Sequence, residues 1–356
     1  RNSILFPLLF FSVLIAQPSF TATSITTSLD GARGVYTVDI DGDGDLDVVA
    51  CSSLGDDVIA WYENNGSQSF SLNSISTSQN DPTSVFAVDL DLDGDMDVLS
   101  ASALDDKAVW YENDGAADPS FTANTITTSA DGAQYILAAD LDNDGDLDII
   151  LTALYEKKIY WFENDGAADP SFSTNTLASP SNGPLGIHVV DLDNDGDLDV
   201  LNASSDDDKV TWYENDGAAD PSFTANTITT SADGVGHIYS EDLDSDGDID
   251  IISASYLDDK IAWYENDGAA DPSFTANTIT TSADGASTVY AIDVDGDGDI
   301  DVISGSEEDD KVAWYENDGA SDPSFTTRSI TTSADGVQSV FAADVDGDGQ
   351  MDILSA

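Results

Sequence analysis

Short apolar runs separated by polar turns recur along this chain, and none of them carries a helical spacing. In residues 286–333, Val289-Tyr290-Ala291-Ile292 leads into an acidic stretch and Ile300-Asp301-Val302-Ile303-Ser304 leaves it. Glu307-Glu308-Asp309-Asp310 then forms a polar turn ahead of Lys311-Val312-Ala313-Trp314-Tyr315-Glu316. After Asn317-Asp318-Gly319 and Pro323, a further run extends from Phe325 to Thr332, and Asp335-Gly336 turns into the next unit. Runs of this length bounded by Gly, Pro, Asn and Asp predict strands, four to a unit. No segment shows a 3.6-residue period.

The unit repeats. Acidic stretches begin at Asp39, Asp89, Asp140, Asp191, Asp242, Asp293 and Asp344, spaced by 50 residues once and by 51 thereafter. Four short strands in about 50 residues match one blade of a β-propeller, whereas the coils of a parallel β-helix, the second choice, are shorter. Strands apolar on both faces suit sheets packed between two neighbours. The expected fold is all-β: a seven-bladed β-propeller of four-stranded blades, with the acidic loop between strands one and two of each.

The ends bear on closure. Residues Pro18 to Ser28 resemble the fourth strand of other units, such as Pro119 to Ser129, while Met351 to Ala356 match a second strand. An N-terminal strand is therefore expected to complete the last blade and remove the open edges. The Trp-Tyr-Glu-Asn strand of that unit is missing, so the chain is expected to be part of a longer protein.

Each acidic loop has nine residues with the pattern D-x-D-x-D-G-x-x-D. The candidate metal ligands are Asp39, Asp41, Asp43, Asp45 and Asp47; Asp89, Asp91, Asp93, Asp95 and Asp97; Asp140, Asp142, Asp144, Asp146 and Asp148; and Asp191, Asp193, Asp195, Asp197 and Asp199. The series continues with Asp242, Asp244, Asp246, Asp248 and Asp250; Asp293, Asp295, Asp297, Asp299 and Asp301; and Asp344, Asp346, Asp348, Gln350 and Asp352. So many like charges in one short loop repel unless something neutralises them. Hard oxygen donors in a flexible loop suit Ca²⁺ better than Mg²⁺, and up to seven ions are expected. Glycine at the sixth position permits a sharp turn. Because position seven is Gln350 in the last copy, its carbonyl rather than its side chain is expected to face the ion. The loops are not EF-hands: position twelve, as Ala50 or Ser304, is never Glu.

Composition extends this reading. Of 71 acidic residues, set against nine Lys and Arg in a net charge of −62, 34 lie in these loops. Seven divalent ions would leave −48, carried by a solvated acidic surface. Such a charge argues against nucleic acid or an anionic membrane surface as partner. The apolar run Ile4 to Ala16 is short for a membrane span and resembles a secretory leader, so residues 1–16 are expected to be a signal peptide and 17–356 the propeller. The single cysteine, Cys51, has no internal disulfide partner and reads as a small packing residue; a disulfide-free exported domain then calls for another staple, such as metal.

The D-x-D-x-D-G-x-x-D loop between two strands, followed by WYEND and a Phe-containing strand, resembles FG-GAP/VCBS-type repeats. That family includes the propeller of integrin α-subunits and many exported bacterial surface proteins. The resemblance covers nearly everything after the leader and implies calcium in the loops and a role in adhesion or ligand recognition.

Other residues are less informative. Trp61, Trp110, Trp161, Trp212, Trp263 and Trp314 occur once per unit, where core packing between blades is favoured over sugar stacking. Lys107, Lys158, Lys209, Lys260 and Lys311 follow acidic turns and are expected to pair locally. His188 and His237 do not occupy equivalent positions, and no nucleophile or metal-hydrolase motif is present, so no catalysis is expected. The turns between strands two and three vary most between copies, as in Leu154-Tyr155-Glu156-Lys157 and Tyr256-Leu257-Asp258-Asp259; drift is weighed slightly above recognition. The chain is therefore expected to be a secreted or cell-surface binding module for an unidentified extracellular protein or glycan, monomeric within a larger chain. The alternatives are a lectin-like domain tied to polysaccharide use and a structural spacer.

Overall fold

The computed structural model describes residues 18–53 and 55–356. The expected leader, residues 1–16, lies outside them. In the first blade, β1 (Ala32–Val38), β2 (Asp47–Ser52), β3 (Val58–Asn64) and β4 (Phe70–Ser76) form an antiparallel sheet in that order. Five further sheets, opening at Pro82, Ala133, Pro184, Val235 and Ala286, have the same order. β2 and its five counterparts are buried at every position, because they lie inside their own sheet and between two neighbouring sheets. The outermost strands, such as Phe223–Thr229, are largely solvated and rich in Thr.

The blade count corrects the sequence-based expectation: the molecule is a six-bladed propeller, not a seven-bladed one. The seventh repeat supplies only a two-stranded hairpin, Val340–Ala343 with Asp352–Ser355. This hairpin lies between the sixth blade and the first, its Val340–Ala343 strand against Ala286–Ile292 and β1. The N-terminal segment expected to complete it forms no strand. It does occupy the packing position of one. Phe20 meets Trp314 edge-on at 6.4 Å, as Phe325 meets Trp263 at 6.4 Å one blade earlier. Ile25 and Leu29 pack against the cluster containing Tyr62 and Leu354. The cause is local: a fourth strand hydrogen-bonds to a third, and this unit contributes none.

Neighbouring units are joined by one recurrent polar contact. The amide of Asn113 donates to the Ile40 carbonyl of the preceding blade at 3.0 Å, and Asn215, Asn266 and Asn317 repeat this with Leu141, Leu192 and Leu243. Asn64 makes the same bond to Val345 at 3.0 Å, so the ring closes through the hairpin. The six tryptophans are at most 3% exposed and fill the wedges between sheets, as core packing requires. Cys51 is fully buried. Each lysine named above pairs with the acid two residues before it, Lys209 with Asp207 at 2.8 Å for example.

Candidate metal loops and an axial cavity

All seven acidic loops fold alike. In the first, Asp39 accepts from the backbone N–H of Asp43 (3.1 Å) on one oxygen and from Gly44 (3.0 Å) on the other. Asp41 also accepts from Asp43, and Asp43 from Asp45. The last loop repeats the set through Asp344, Asp346 and Asp348. The sixth-position glycine has φ between 87° and 104° in every copy, a region L-residues avoid, which is why no other residue stands there. Position four is left-handed too, and accepts Leu92 at φ 60° and Asn143 at 59°.

This winding brings positions one, three and five together. The sets Asp39-Asp41-Asp43, Asp89-Asp91-Asp93, Asp140-Asp142-Asp144, Asp191-Asp193-Asp195 and Asp242-Asp244-Asp246 each offer three carboxylate oxygens within 4.8 Å of one another. Burial and then the like charge of Asp93 and Asp89 push the Asp91 carboxyl above its ordinary range, and Asp142, Asp193 and Asp244 behave alike. The residues therefore fit a hard divalent ion: oxygen donors only, converging, with their charge uncompensated by any side chain of the loop.

Position nine is set apart. Asp47 is fully buried, one oxygen accepting from Ile40 (3.0 Å) and the other from Asn64 (2.7 Å). Asp97, Asp148, Asp199, Asp250 and Asp301 are held in the same way, so this aspartate ties the loop to strand three. Desolvation raises these carboxyls to about 7, or about 6 for Asp148. Position seven lies outside the converging sets, with the carboxylates of Asp95 and Asp197 against Gly115 and Gly217 of the adjoining Asn-Asp-Gly turns.

A second feature lies on the axis. A cavity of about 740 Å³ is lined by the first strands of all blades and opens between the turns that join strands two and three, at Ser205, Asp206, Tyr256, Leu257 and Glu307. This is the face opposite the acidic loops, and the variable turns form its mouth. Around its wall runs a belt of ring contacts: His188–Tyr239 (4.6 Å between centroids), Tyr239–Tyr290 (4.8 Å), Tyr290–Phe341 (4.9 Å), Phe341–Tyr36 (5.0 Å) and Tyr36–Phe86 (5.2 Å). Leu137 holds the remaining position of the belt and lines the same cavity.

Two polar side chains cross the cavity. Tyr135 Oη lies 3.2 Å from His237 Nε2, reaching past Gly186 of the intervening blade, which has no side chain to obstruct it. His237 Nδ1 accepts from the Val289 N–H at 3.4 Å, so in the neutral ring the proton sits on Nε2 and is donated to Tyr135. Desolvation holds His188 and His237 down at about 4, and both are neutral at pH 7.

Neither the two histidines nor the belt stands out in the sequence as a functional element. A signal was present: belt residues stand three positions before the first aspartate of each loop, as Tyr36 before Asp39 and His188 before Asp191.

An all-β ring of repeats, each carrying an acidic loop between its first two strands, defines a class of repeat propellers. The chain belongs to the FG-GAP-like repeat family, whose model matches residues 39–100, 89–151, 150–202, 191–253, 242–304 and 293–355. Among curated proteins none matches it. Its fold is similar to that of an Agrocybe aegerita lectin that recognises non-reducing terminal N-acetylglucosamine (TM-score 0.61, 16% identity, 92% of this chain and 85% of the lectin). It is also similar to rhamnogalacturonan lyase YesW (TM-score 0.54, 14% identity, 91% and 70% covered) and to BBS1N from a complex with ARL6DN (TM-score 0.61, 11% identity, 92% and 91% covered). At these identities the likeness is one of fold. Among the described residues, no helix is long and apolar enough to cross a membrane.

Proposed function

We propose that this chain is an exported, calcium-stabilised propeller acting as a binding module for an extracellular protein or glycan. The observation that carries the reading is the sevenfold recurrence of one loop geometry, with the carboxylates at positions one, three and five converging. Calcium held by those carboxylates supplies electrostatic neutralisation and no reaction chemistry. In the six complete blades the buried aspartate at position nine anchors the loop to its blade, so an ion there rigidifies the sheet behind it. We read the module as non-catalytic: its loop aspartates serve the proposed ion sites, strand-three glutamates such as Glu112 accept from the facing Asn124, and His237 is committed to Tyr135 and Val289.

Native mass spectrometry tests the ligand assignment. In Asp297→Ala, one bound calcium is lost relative to the parent chain while the other sites fill. An unchanged count would refute the assignment.

A further inference from the structure

We infer that the axial cavity binds the end of a short uncharged glycan, entering from the face opposite the acidic loops. This deepens the binding-module reading above and rests on it. The cavity volume, about 740 Å³, falls within the roughly 300–1,000 Å³ of small-molecule sites. Its wall combines ring surface with hydrogen-bonding groups, which is the surface a sugar presents in return: C–H faces and hydroxyls.

Charge narrows the class of ligand. The belt and the two crossing side chains carry no carboxylate, lysine or arginine; the charged groups that line the cavity are the acids Asp206 and Glu307 at the mouth and Arg33, whose guanidinium faces Asp81 at 4.0 Å. With a net charge of −62, an anionic sugar is repelled before it arrives. A quaternary ammonium would gain from the field and from the ring faces. It has no hydrogen bond to offer, and it would bury Tyr135, His188, Gln134 and Gln338 against a surface that satisfies none of them. A polyhydroxylated ligand meets both requirements.

The crossing pair also fixes the direction of one contact. Because His237 Nε2 donates to Tyr135 Oη, the Tyr135 hydroxyl proton is directed elsewhere, and an acceptor in the cavity, such as a sugar hydroxyl or ring oxygen, receives it. An independent observation is the rim. Leu104, Tyr155 and Leu257, 63%, 62% and 67% exposed, all stand in turns between strands two and three, on the face where the cavity opens. Of the five exposed large apolar side chains among the described residues, three stand on this end, against Leu92 on the acidic-loop face and Leu72 on an outer strand, and a surface so weighted marks a contact.

The test uses the full chain saturated with calcium, on an array of neutral, uronate-containing and amine-bearing oligosaccharides. Calorimetry then follows with the retained glycans and, separately, with choline. Neutral glycans are expected to bind. Tyr135→Phe, which keeps the ring, weakens them roughly tenfold. Ser339→Trp abolishes binding, because position 339 corresponds to Tyr135 and His237 in the repeat and a large side chain there fills the cavity. Melting in calcium verifies that both variants fold. Retention of no neutral glycan, preference for uronates or choline, or unaltered affinity in both folded variants would overturn the inference. The calcium reading is judged separately, by ion count and melting, and survives any of these results.

Discussion

Stripping the metal from this protein should lower its melting temperature by an amount that follows from the loop geometry. Three carboxylates with oxygens no more than 4.8 Å apart form three repelling pairs in a loop. Even at the dielectric constant of water each pair costs about 0.9 kcal/mol, or about 3 kcal/mol per loop, and partial burial raises this. Seven alike loops amount to about 20 kcal/mol. Calcium at a hundred times its dissociation constant returns about 2.7 kcal/mol per site, close to the same total for seven. Domains are ordinarily stable by about 5–15 kcal/mol, so the metal-free ring should be marginal or unfolded at 25 °C. With an unfolding entropy of about 2.1 cal/mol/K per residue, the melting temperature should fall by roughly 25 °C. Differential scanning calorimetry of protein passed over chelating resin, before and after calcium is restored, measures it. A reversible shift below about 5 °C would mean that the loops are solvated turns without a resident ion.

Three other outcomes are expected. The six buried aspartates from Asp47 to Asp301, raised to about 6–7 in the metal-free fold, bind protons more tightly than in the unfolded chain. Their contribution is therefore present in acid and lost as pH rises from about 4 through 7. Metal-free protein should melt progressively lower between pH 5 and 8, and calcium-loaded protein should not; a flat metal-free profile in fluorimetry would contradict this. Trp263→Ala removes a 2%-exposed side chain wedged between sheets and should cost about 3–5 kcal/mol in calcium, read by urea unfolding. Asn266→Ala leaves the Leu192 and Ile249 carbonyls without their shared donor and should cost about 1–3 kcal/mol by the same assay, with the bound-ion count unchanged.

How much of this was legible in the sequence depends on the distance over which each feature is encoded. The strands, the turns and the loop geometry are local: nine residues with glycine at the sixth position specify the winding wherever it occurs. Burial of the tryptophans also followed, since a large apolar residue at mid-strand in every unit has only the wedge to occupy. Blade number was misjudged because completion of the last sheet depends on pairing. Phe20, Ile25 and Leu29 carry the apolar pattern of a fourth strand and take up its packing, yet a matching pattern cannot hydrogen-bond to a third strand that is absent. The axial cavity was missed for the opposite reason. Its residues are one or two per repeat and chemically unlike, Tyr36, Phe86, Leu137 and His188 among them, and only ring closure makes them neighbours.

The same separation explains how one repeat serves two demands. The loop aspartates lie on one face and are invariant between copies, save Gln350, because each must wind the same turn. The first-strand residues three positions upstream vary from Tyr to Phe, Leu and His, because their backbone pairing with the second strand holds them whatever their side chains. If stability resides in the loops, belt and rim positions are free to change without loss of the fold. A chain that needed its aromatic belt for stability would have kept that belt uniform, as it has kept the tryptophans; with Leu137 and His188 among the rings, the belt is not what holds the fold together.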